Sequence, residues 1–540
     1  MTRRSLIFFA VVALGAGLLY ARIEPLSRSM AKASRTRVLT LSEDQRAVVD
    51  RLNESFQRNW SEKNIIPAPQ AEELTLARRL SLALVGTIPS LEEIRAIESR
   101  PVGERVEWHL ARLLEDRRHH EYFAERFARA YVGVKDGPFI IYRRRRFVTW
   151  LADKFAANRP YDAIARDLVA DTGLYNDQPA TNFITATIEL DEGTEADENE
   201  LAGRVARVMT ATRIDCAECH DHPFAEWRQE DFKSLAAFFA NTRQTFGGVR
   251  DVGSSIEVLD RQSGETVDAS PSVPFAKNLL PADGPPRKRL AAWVTHPRNR
   301  AFSRALVNRV WAMLFGRALV EPLDDIPHDD GVPAALDILA DDFSQHGHDL
   351  RRLLTIIVSS QVFALDSRLD DAEQAMTPAH EETWAVFPLS RLRPEQMAAA
   401  IEQATSLETI DAETHLLLRL GFFDQRNEFV RRHGDAGEEE LLPQGGTIPQ
   451  RLLMMNGKLV RERVHGDLPL HAAAQLAALA PRDSTAIEIA YLTTLSRRPA
   501  AAELEHFAER LSAGGANMRR ERTEDLYWAL LNSTEFSWNH

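Results

Sequence analysis

The sequence predicts a mainly α-helical protein built from two helical domains, with an irregular connection between them that includes a short hairpin. From residue 42 to 246 the apolar residues recur mainly every three or four positions, as in Ala77, Leu80 and Leu84, which is the helical period. The period returns at residue 290 and continues to 540. Residues 247–289 lose it and are rich in Gly, Ser, Pro and Asp, which is typical of a connection. Within them, residues 256–267 favour a hairpin.

Two helix starts can be recognised within the first predicted domain. Ser90 is followed by Glu92 and Glu93, the pattern of an N-cap with acidic residues in the first turn. Pro160 precedes the apolar-periodic run 161–170, and proline is favoured where a helix begins. We therefore predict helices that begin just after each of these two residues.

Composition narrows the class of protein. The chain has 540 residues, 44% of them hydrophobic and 27% charged, with a formal net charge of −13. Such a composition is typical of globular proteins, and the length suggests more than one domain. Nucleic-acid binders usually carry a basic surface that neutralises phosphates. We therefore expect no nucleic-acid partner.

The N-terminus resembles an export signal. Arg3 and Arg4 precede an apolar run over residues 6–20, and Arg22 follows it, as in the charged and apolar regions of a secretory signal. The run is shorter than the roughly 20 residues of a membrane span, but no clear cleavage site follows it. Residues 1–30 are thus predicted to be a signal peptide or a membrane anchor. The expected location is the periplasm or cell envelope, and the expected partner a redox partner or a cell-envelope protein.

Only two cysteines occur, and both belong to one motif, Cys216-x-x-Cys219-His220. This spacing is used for covalent haem attachment, in which the two thiols hold the ring and the adjacent imidazole binds the iron. The same residues, with His220 or His222, could instead supply thiolate and imidazole ligands to zinc. A third alternative is a disulfide between the cysteines, with His220 capping a helix end.

The neighbours of the motif add candidate ligands. Met209 precedes the motif and is a candidate metal ligand, although a methionine in an apolar helix is more often a core residue. His222 is a second candidate, for either a metal or a hydrogen bond. Phe224 and Trp227 are expected mainly to pack.

No catalytic residue can be assigned, since the sequence lacks the common hydrolase, metalloprotease and phosphate-binding motifs. One further polar cluster comprises Asn308, Arg309, Trp311, Asp324 and Asp325. It is either a ligand site or an Arg–Asp pair that holds a helix junction.

Several longer segments carry a resemblance to known families. Residues 76–90 (LARRLSLALVGTIPS), 122–128 (YFAERFA) and 216–227 (CAECHDHPFAEW) resemble the planctomycete cytochrome-like family DUF1549 (PSCyt2). Residues 302–311 (FSRALVNRVW), 315–322 (FGRALVEP), 447–450, 495–499 and 528–536 resemble DUF1553 (PSD1). The resemblance implies a cytochrome-associated surface protein and supplies no reaction.

The function predicted from the sequence is that of an exported protein with one c-type haem, bound through Cys216, Cys219 and His220, and acting in electron transfer or redox chemistry at the cell envelope. The alternative is a non-enzymatic structural or interaction protein of the cell surface. In that case zinc or a disulfide would occupy the motif.

Overall fold

The computed structural model describes residues 38–134, 141–189, 191, 193–253, 255–329, 331–369, 376–411, 414, 416–434, 446–465, 471–513 and 518–540. The predicted signal peptide or anchor, residues 1–30, lies outside the described residues. No helix in the described ranges is both long enough and apolar enough to cross a membrane.

Helices dominate the described chain, as predicted. Those before residue 240 are α1 (Glu43–Glu62), α2 (Glu73–Val85), α3 (Leu91–Glu98), α4 (Arg105–Leu114), α5 (Arg117–Val132), α6 (Arg144–Ala156), α7 (Tyr161–Ala170), α8 (Asn182–Thr185), α9 (Glu198–Arg204) and α10 (Gln229–Ala236). Those between residues 286 and 404 are α11 (Pro286–Val294), α12 (Arg300–Phe315), α13 (Ala334–Gln345), α14 (Leu350–Val358), α15 (Gln361–Ala364), α16 (Pro378–Glu382) and α17 (Pro394–Ala404). The remainder are α18 (Leu416–His433), α19 (Ile448–Asn456), α20 (Lys458–Val464), α21 (Ala472–Leu479), α22 (Asp483–Leu495), α23 (Ala501–Ser512) and α24 (Arg519–Leu531).

Strands form only antiparallel pairs in the part of the chain that the structure describes. β1 (Thr242–Thr245) pairs with β2 (Gly248–Asp251), and β3 (Glu257–Leu259) pairs with β4 (Thr266–Asp268). The second pair confirms the hairpin predicted at 256–267. β5 (Ser390–Arg391) pairs with β6 (Trp538–Asn539), so the end of the chain returns to a segment about 150 residues earlier.

The predicted helix starts are confirmed. Ser90 caps α3 through a reciprocal capping box, in which its hydroxyl accepts from the Glu93 amide and the Glu93 carboxylate accepts from the Ser90 amide. Such a box satisfies two of the amides that a helix leaves without partners. Pro160 directly precedes α7. α2 ends at Gly86, whose φ of 73° suits glycine and whose Cα lies against the Tyr122 ring.

Buried side chains join the two halves of the sequence. One large apolar cluster contains residues from Val48 to Phe387, and it includes Val258, Val273 and Leu279 of the predicted connection. A second cluster combines residues between Leu392 and Phe536 with Leu82 and Ile88 from the first half. Helix α2 therefore contributes to both clusters. The predicted domain boundaries remain predictions.

Two adjacent buried arginines in α2 form hydrogen bonds with main-chain oxygens near the C-terminus. Arg78 donates to the main-chain oxygens of Thr494 (3.0 Å) and Phe536 (3.1 Å). Arg79 donates to the main-chain oxygen of His540 at 2.7 Å. Thr494 lies in the last turn of α22, and Phe536 and His540 follow α24. Main-chain oxygens at such places have no partner within a helix, so the two guanidinium groups supply their hydrogen bonds inside the protein.

Candidate functional site

The Cys-x-x-Cys-His motif lies on a short 3₁₀ turn, Asp215–Glu218. A 3₁₀ helix has three residues per turn, so side chains at positions i and i+3 lie on the same side. Cys216 and Cys219 have this spacing, and both are exposed free thiols. The Ala217 amide donates to the Ile214 carbonyl, and the Cys219 amide to the Cys216 carbonyl, which closes the turn. The turn thus presents two thiols to solvent on one side.

The segment before the turn is irregular. Helix α9 continues into a π-helical turn, Val205–Met209, and Ala211 then adopts a left-handed conformation with φ of 46°. Its carbonyl accepts a hydrogen bond from the Ile326 amide at 2.8 Å. π-helical turns and left-handed non-glycine residues both concentrate at functional sites. Met209, a predicted metal ligand, is buried in the main apolar cluster, whereas both thiols face solvent.

The two histidines of the motif differ in which ring nitrogen is available. His220 is exposed, and its Nδ1 lies 2.8 Å from the Asp221 carbonyl oxygen. Since a carbonyl only accepts, Nδ1 carries the proton and the lone pair is on Nε2. In His222 the opposite holds, because Nδ1 accepts from the Phe224 amide at 3.1 Å. The proton of a neutral His222 is therefore on Nε2.

Contacts with α10 and the β3–β4 hairpin hold the turn in place. The Gln229 side-chain amide donates to the Cys219 carbonyl at 3.1 Å, and the Gln229 main-chain N–H donates to the Asp221 carboxylate at 2.9 Å. Arg261 pairs with Glu218 at 3.0 Å. Burial raises the pKa of the Glu218 carboxyl, which Arg261 opposes. These contacts fix the backbone of the turn and leave both thiols uncovered.

The aromatic residues after the motif have different environments. Trp227 packs against Phe275 and His328, with ring centroids 6.4 and 5.6 Å away. Its expected packing role is therefore confirmed. Phe224 is 94% exposed, so the packing expected for it is wrong. The loop from His222 to Trp227 is closed by a main-chain hydrogen bond between these two residues, which leaves Phe224 at its outer edge.

Candidate metal ligands come together at another place. Among the described residues, the group of three whose ligand atoms all lie within 4.8 Å is Asp44, Asp342 and His346. Arg352 pairs with both aspartates, so one positive charge already offsets part of their negative charge. The cysteines and histidines of the motif are not drawn together in this way. Their assignments as cofactor and metal ligands, and that of Met209, remain predictions.

The polar cluster predicted at 308–325 is not assembled. Asn308 exchanges two hydrogen bonds with the main chain of Val320, at 2.8 and 3.0 Å. Asp324 pairs with Arg213. Arg309 forms an ion pair with neither Asp324 nor Asp325 in the described structure. The Arg–Asp pair expected within this cluster is therefore not formed.

The fold and the turn define a class: mainly helical proteins that present a Cys-x-x-Cys-His turn in their first half. Residues 51–244 match the family PSCyt2, described as a protein of unknown function (DUF1549). Residues 286–417 match PSD1, likewise described as a protein of unknown function (DUF1553). The two matches confirm the resemblance of these two regions to PSCyt2 and PSD1. The motifs at 447–450, 495–499 and 528–536 lie beyond the matched residues, so their assignment remains a prediction. No curated protein and no solved structure matches the chain.

The predicted function as a haem protein in electron transfer or redox chemistry is wrong. It rested on a single pair of cysteines spaced by two residues, and both matching families are described as having no known function. The structure adds a physical reason. Proteins with a c-type haem set its reduction potential through apolar surroundings and a second axial ligand. In this chain the motif lies on an exposed turn, and Met209 is buried in the main apolar cluster.

Proposed function

We propose that the motif is an exposed zinc site formed by Cys216, Cys219 and His220. The observation that carries this proposal is that two free thiols lie on one side of a 3₁₀ turn, directly before a histidine whose Nε2 lone pair is available. Thiolate sulfur and imidazole nitrogen are the ligands that zinc prefers in proteins. An imidazole that binds a metal usually donates its other N–H to a carbonyl or carboxylate, as His220 does to Asp221.

The fit favours His220 over the other two candidates. His222 would bind through Nε2 only after its proton moved to Nδ1, where it would face the Phe224 N–H. Met209 is buried in the main apolar cluster, whereas both cysteines are exposed. Three protein ligands leave one position of a tetrahedral zinc ion for water or for a group from a partner. The metal would supply a fixed geometry to the turn and an open coordination position at the surface.

Zinc binding tests the proposal through paired variants. Purified under reducing conditions, the wild-type chain should bind one zinc ion, and Cys216→Ser with Cys219→Ser should abolish binding. Loss of an imidazole ligand should weaken the affinity by about 10-fold or more, as loss of a supporting contact already does. His220→Ala should therefore have this effect, whereas His222→Ala and Met209→Leu should change it little. Competition with a chromogenic chelator measures each affinity.

Two results would contradict the proposal. His222→Ala could reduce the zinc affinity more than His220→Ala, which would assign the imidazole ligand to His222 in place of His220. The cysteines could also form an intramolecular disulfide under native conditions, with no metal bound. Mass spectrometry after thiol alkylation distinguishes these forms, because a disulfide blocks alkylation of both residues.

We also propose that the chain is exported. Support comes from Arg3, Arg4 and the apolar run over residues 6–20, which is the pattern of a secretory signal. Expressed in a Gram-negative host, the full chain should fractionate with the periplasm if it is cleaved, or with the membrane if it is anchored. Replacing both arginines by glutamate should retain it in the cytoplasm. Equal amounts of both versions in the cytoplasm would contradict export. At the cell envelope, the open zinc position would be accessible to an envelope protein.

A further inference from the structure

Helix α19 exposes three large apolar side chains. Ile448 is 78% exposed, Leu452 is 52% exposed and Met455 is 39% exposed. Their spacing of four and three residues places them side by side on one face of the helix, and we call these three residues the α19 stripe. Met454 lies on another face and is buried in the second apolar cluster. Single exposed apolar residues are normal on a protein surface, whereas a contiguous apolar patch marks a contact site.

The folded protein holds the stripe in place. Thr447 caps α19 through a reciprocal capping box with Gln450. The Gln450 side-chain amide also donates to the His433 carbonyl at 2.7 Å. At the other end of the helix, the indole N–H of Trp528 donates to the Met455 carbonyl at 3.1 Å. The three apolar side chains therefore stay on the surface of a helix that is fixed at both ends.

Cations border the stripe on both sides. Arg451 is exposed and lies three residues after Ile448 and four before Met455, which makes it a neighbour of both on the helix surface. On the other side, an open groove with an empty volume of about 270 Å³ lies between α18, α19 and α20, and Arg432 and Lys458 are among the residues that line it. Basic side chains thus flank an apolar centre.

Some of these cations have no carboxylate partner. Arg432 pairs with Glu428 at 2.8 Å. Lys458 and Arg461 are exposed, lie three residues apart on α20 and form no ion pair within the described ranges. Together, α19 and α20 contain the cations Arg451, Lys458, Arg461 and Arg463 and a single carboxylate, Glu462. This region is therefore basic in a chain whose formal net charge is −13.

An apolar stripe between unpaired cations suits an anionic membrane surface. Apolar side chains enter the boundary between headgroups and acyl chains, while Lys and Arg attract anionic headgroups. The indole of Trp528, beside the stripe, is also a group that favours this boundary. A specific protein partner would need about 800 Å² of matching surface on each side, which three side chains do not supply. A membrane needs no matching shape.

We propose that the α19 stripe docks the protein on an anionic phospholipid surface, with Ile448, Leu452 and Met455 among the headgroups and acyl chains and with Lys458 and Arg461 at the headgroups. A contact of this size is reversible. It is independent of the motif at residues 216–220, so this proposal and the zinc site can fail separately.

Hydrogen exchange of the full chain tests the docking, with vesicles of phosphatidylcholine alone or of equal parts phosphatidylcholine and phosphatidylglycerol. Only the mixed vesicles should slow exchange at residues 448–458. A membrane anchor at the N-terminus does not by itself produce protection there. Lys458→Gln with Arg461→Gln should weaken docking about 30-fold in a lipid titration, since each cation contributes about fivefold. Ile448→Ser with Leu452→Ser should abolish the protection.

Two exposed residues outside the stripe provide matched controls. Val102→Ser removes an apolar side chain that is 79% exposed, and Arg58→Gln removes a cation from the exposed face of α1. Both variants should dock as wild type does, and without vesicles all variants should exchange as wild type does. The proposal is overturned by equal exchange with and without mixed vesicles, by equal protection with both kinds of vesicle, or by unchanged docking of the stripe variants. Protection that grows with protein concentration in the absence of vesicles would also overturn it, because a second copy would then cover the stripe.

Discussion

Replacing Arg79 with glutamine should lower the free energy of unfolding by about 4 kcal/mol. Its guanidinium donates to the carbonyls of Phe363 (3.0 Å), Leu365 (2.6 Å) and His540 (2.7 Å), and it lies 3.7 Å above the ring of Phe387. A glutamine side chain is shorter and cannot reach all three oxygens. The oxygens left without donors then carry the full cost of desolvation.

Arg79→Gln should weaken the segments that Arg79 contacts more than it weakens the rest of the protein. Urea unfolding monitored by circular dichroism measures the free energy, and hydrogen exchange reports on residues 536–540 and 363–365. Both segments should lose protection together, because one side chain holds them. Arg58→Gln, in the exposed face of α1, is the matched control and should change stability by no more than about 0.5 kcal/mol. An equal, small effect of both variants would show that Arg79 is not a structural anchor.

The helical architecture could be predicted because it depends on local pattern. The spacing of Ala77, Leu80 and Leu84 indicated α2, and Ser90 with Glu93 indicated the start of α3. The role of the arginines could not be predicted in this way. In α2 every residue from Leu76 to Val85 is buried, so the helix has no solvent face for Arg78 and Arg79. Their acceptors lie between 284 and 461 residues away in the sequence, where no local pattern reports them.

In the candidate sites, too, local features could be predicted and contacts between distant residues could not. The spacing of Cys216 and Cys219 could be recognised from the sequence, and the 3₁₀ turn is compatible with it. Whether other parts of the chain bury the motif depends on how distant segments pack. The sequence does not report this packing, and the haem prediction was therefore wrong. Arg309 was expected near Asp324 and Asp325. Asp324 instead pairs with Arg213, so it is not a partner of Arg309. Only the three-dimensional structure shows this difference.

Glu93→Gln should lower the free energy of unfolding by about 3 kcal/mol at neutral pH. The buried Glu93 carboxylate pairs with Arg118 at 2.6 Å and with Arg112 at 3.4 Å. Glutamine has nearly the same shape and can still accept from the Ser90 amide, so the capping box should survive. The charge alone is removed. Arg112 then has no carboxylate partner in the described structure, and an unpaired buried charge destabilises the folded state.

The pH dependence separates this charge effect from a packing effect. Burial opposes ionisation of Glu93, but Arg118, Arg112 and His109 outweigh it and hold the pKa of the carboxyl well below its usual range. An unfolded glutamate has a pKa of about 4.3. Because the folded pKa is the lower one, Glu93 contributes its stability above that pH, and the contribution is lost as the pH falls below it.

The difference in unfolding free energy between wild type and Glu93→Gln should therefore be largest near pH 7 and should shrink as the pH falls below about 4. Chemical denaturation of both proteins over this range measures it. Glu107→Gln, an exposed residue of α4, should differ from wild type by no more than about 0.5 kcal/mol at any pH. A difference for Glu93→Gln that stays constant with pH would attribute the loss to packing, because only the ionised carboxylate gives a contribution that disappears when the carboxyl is protonated in both states.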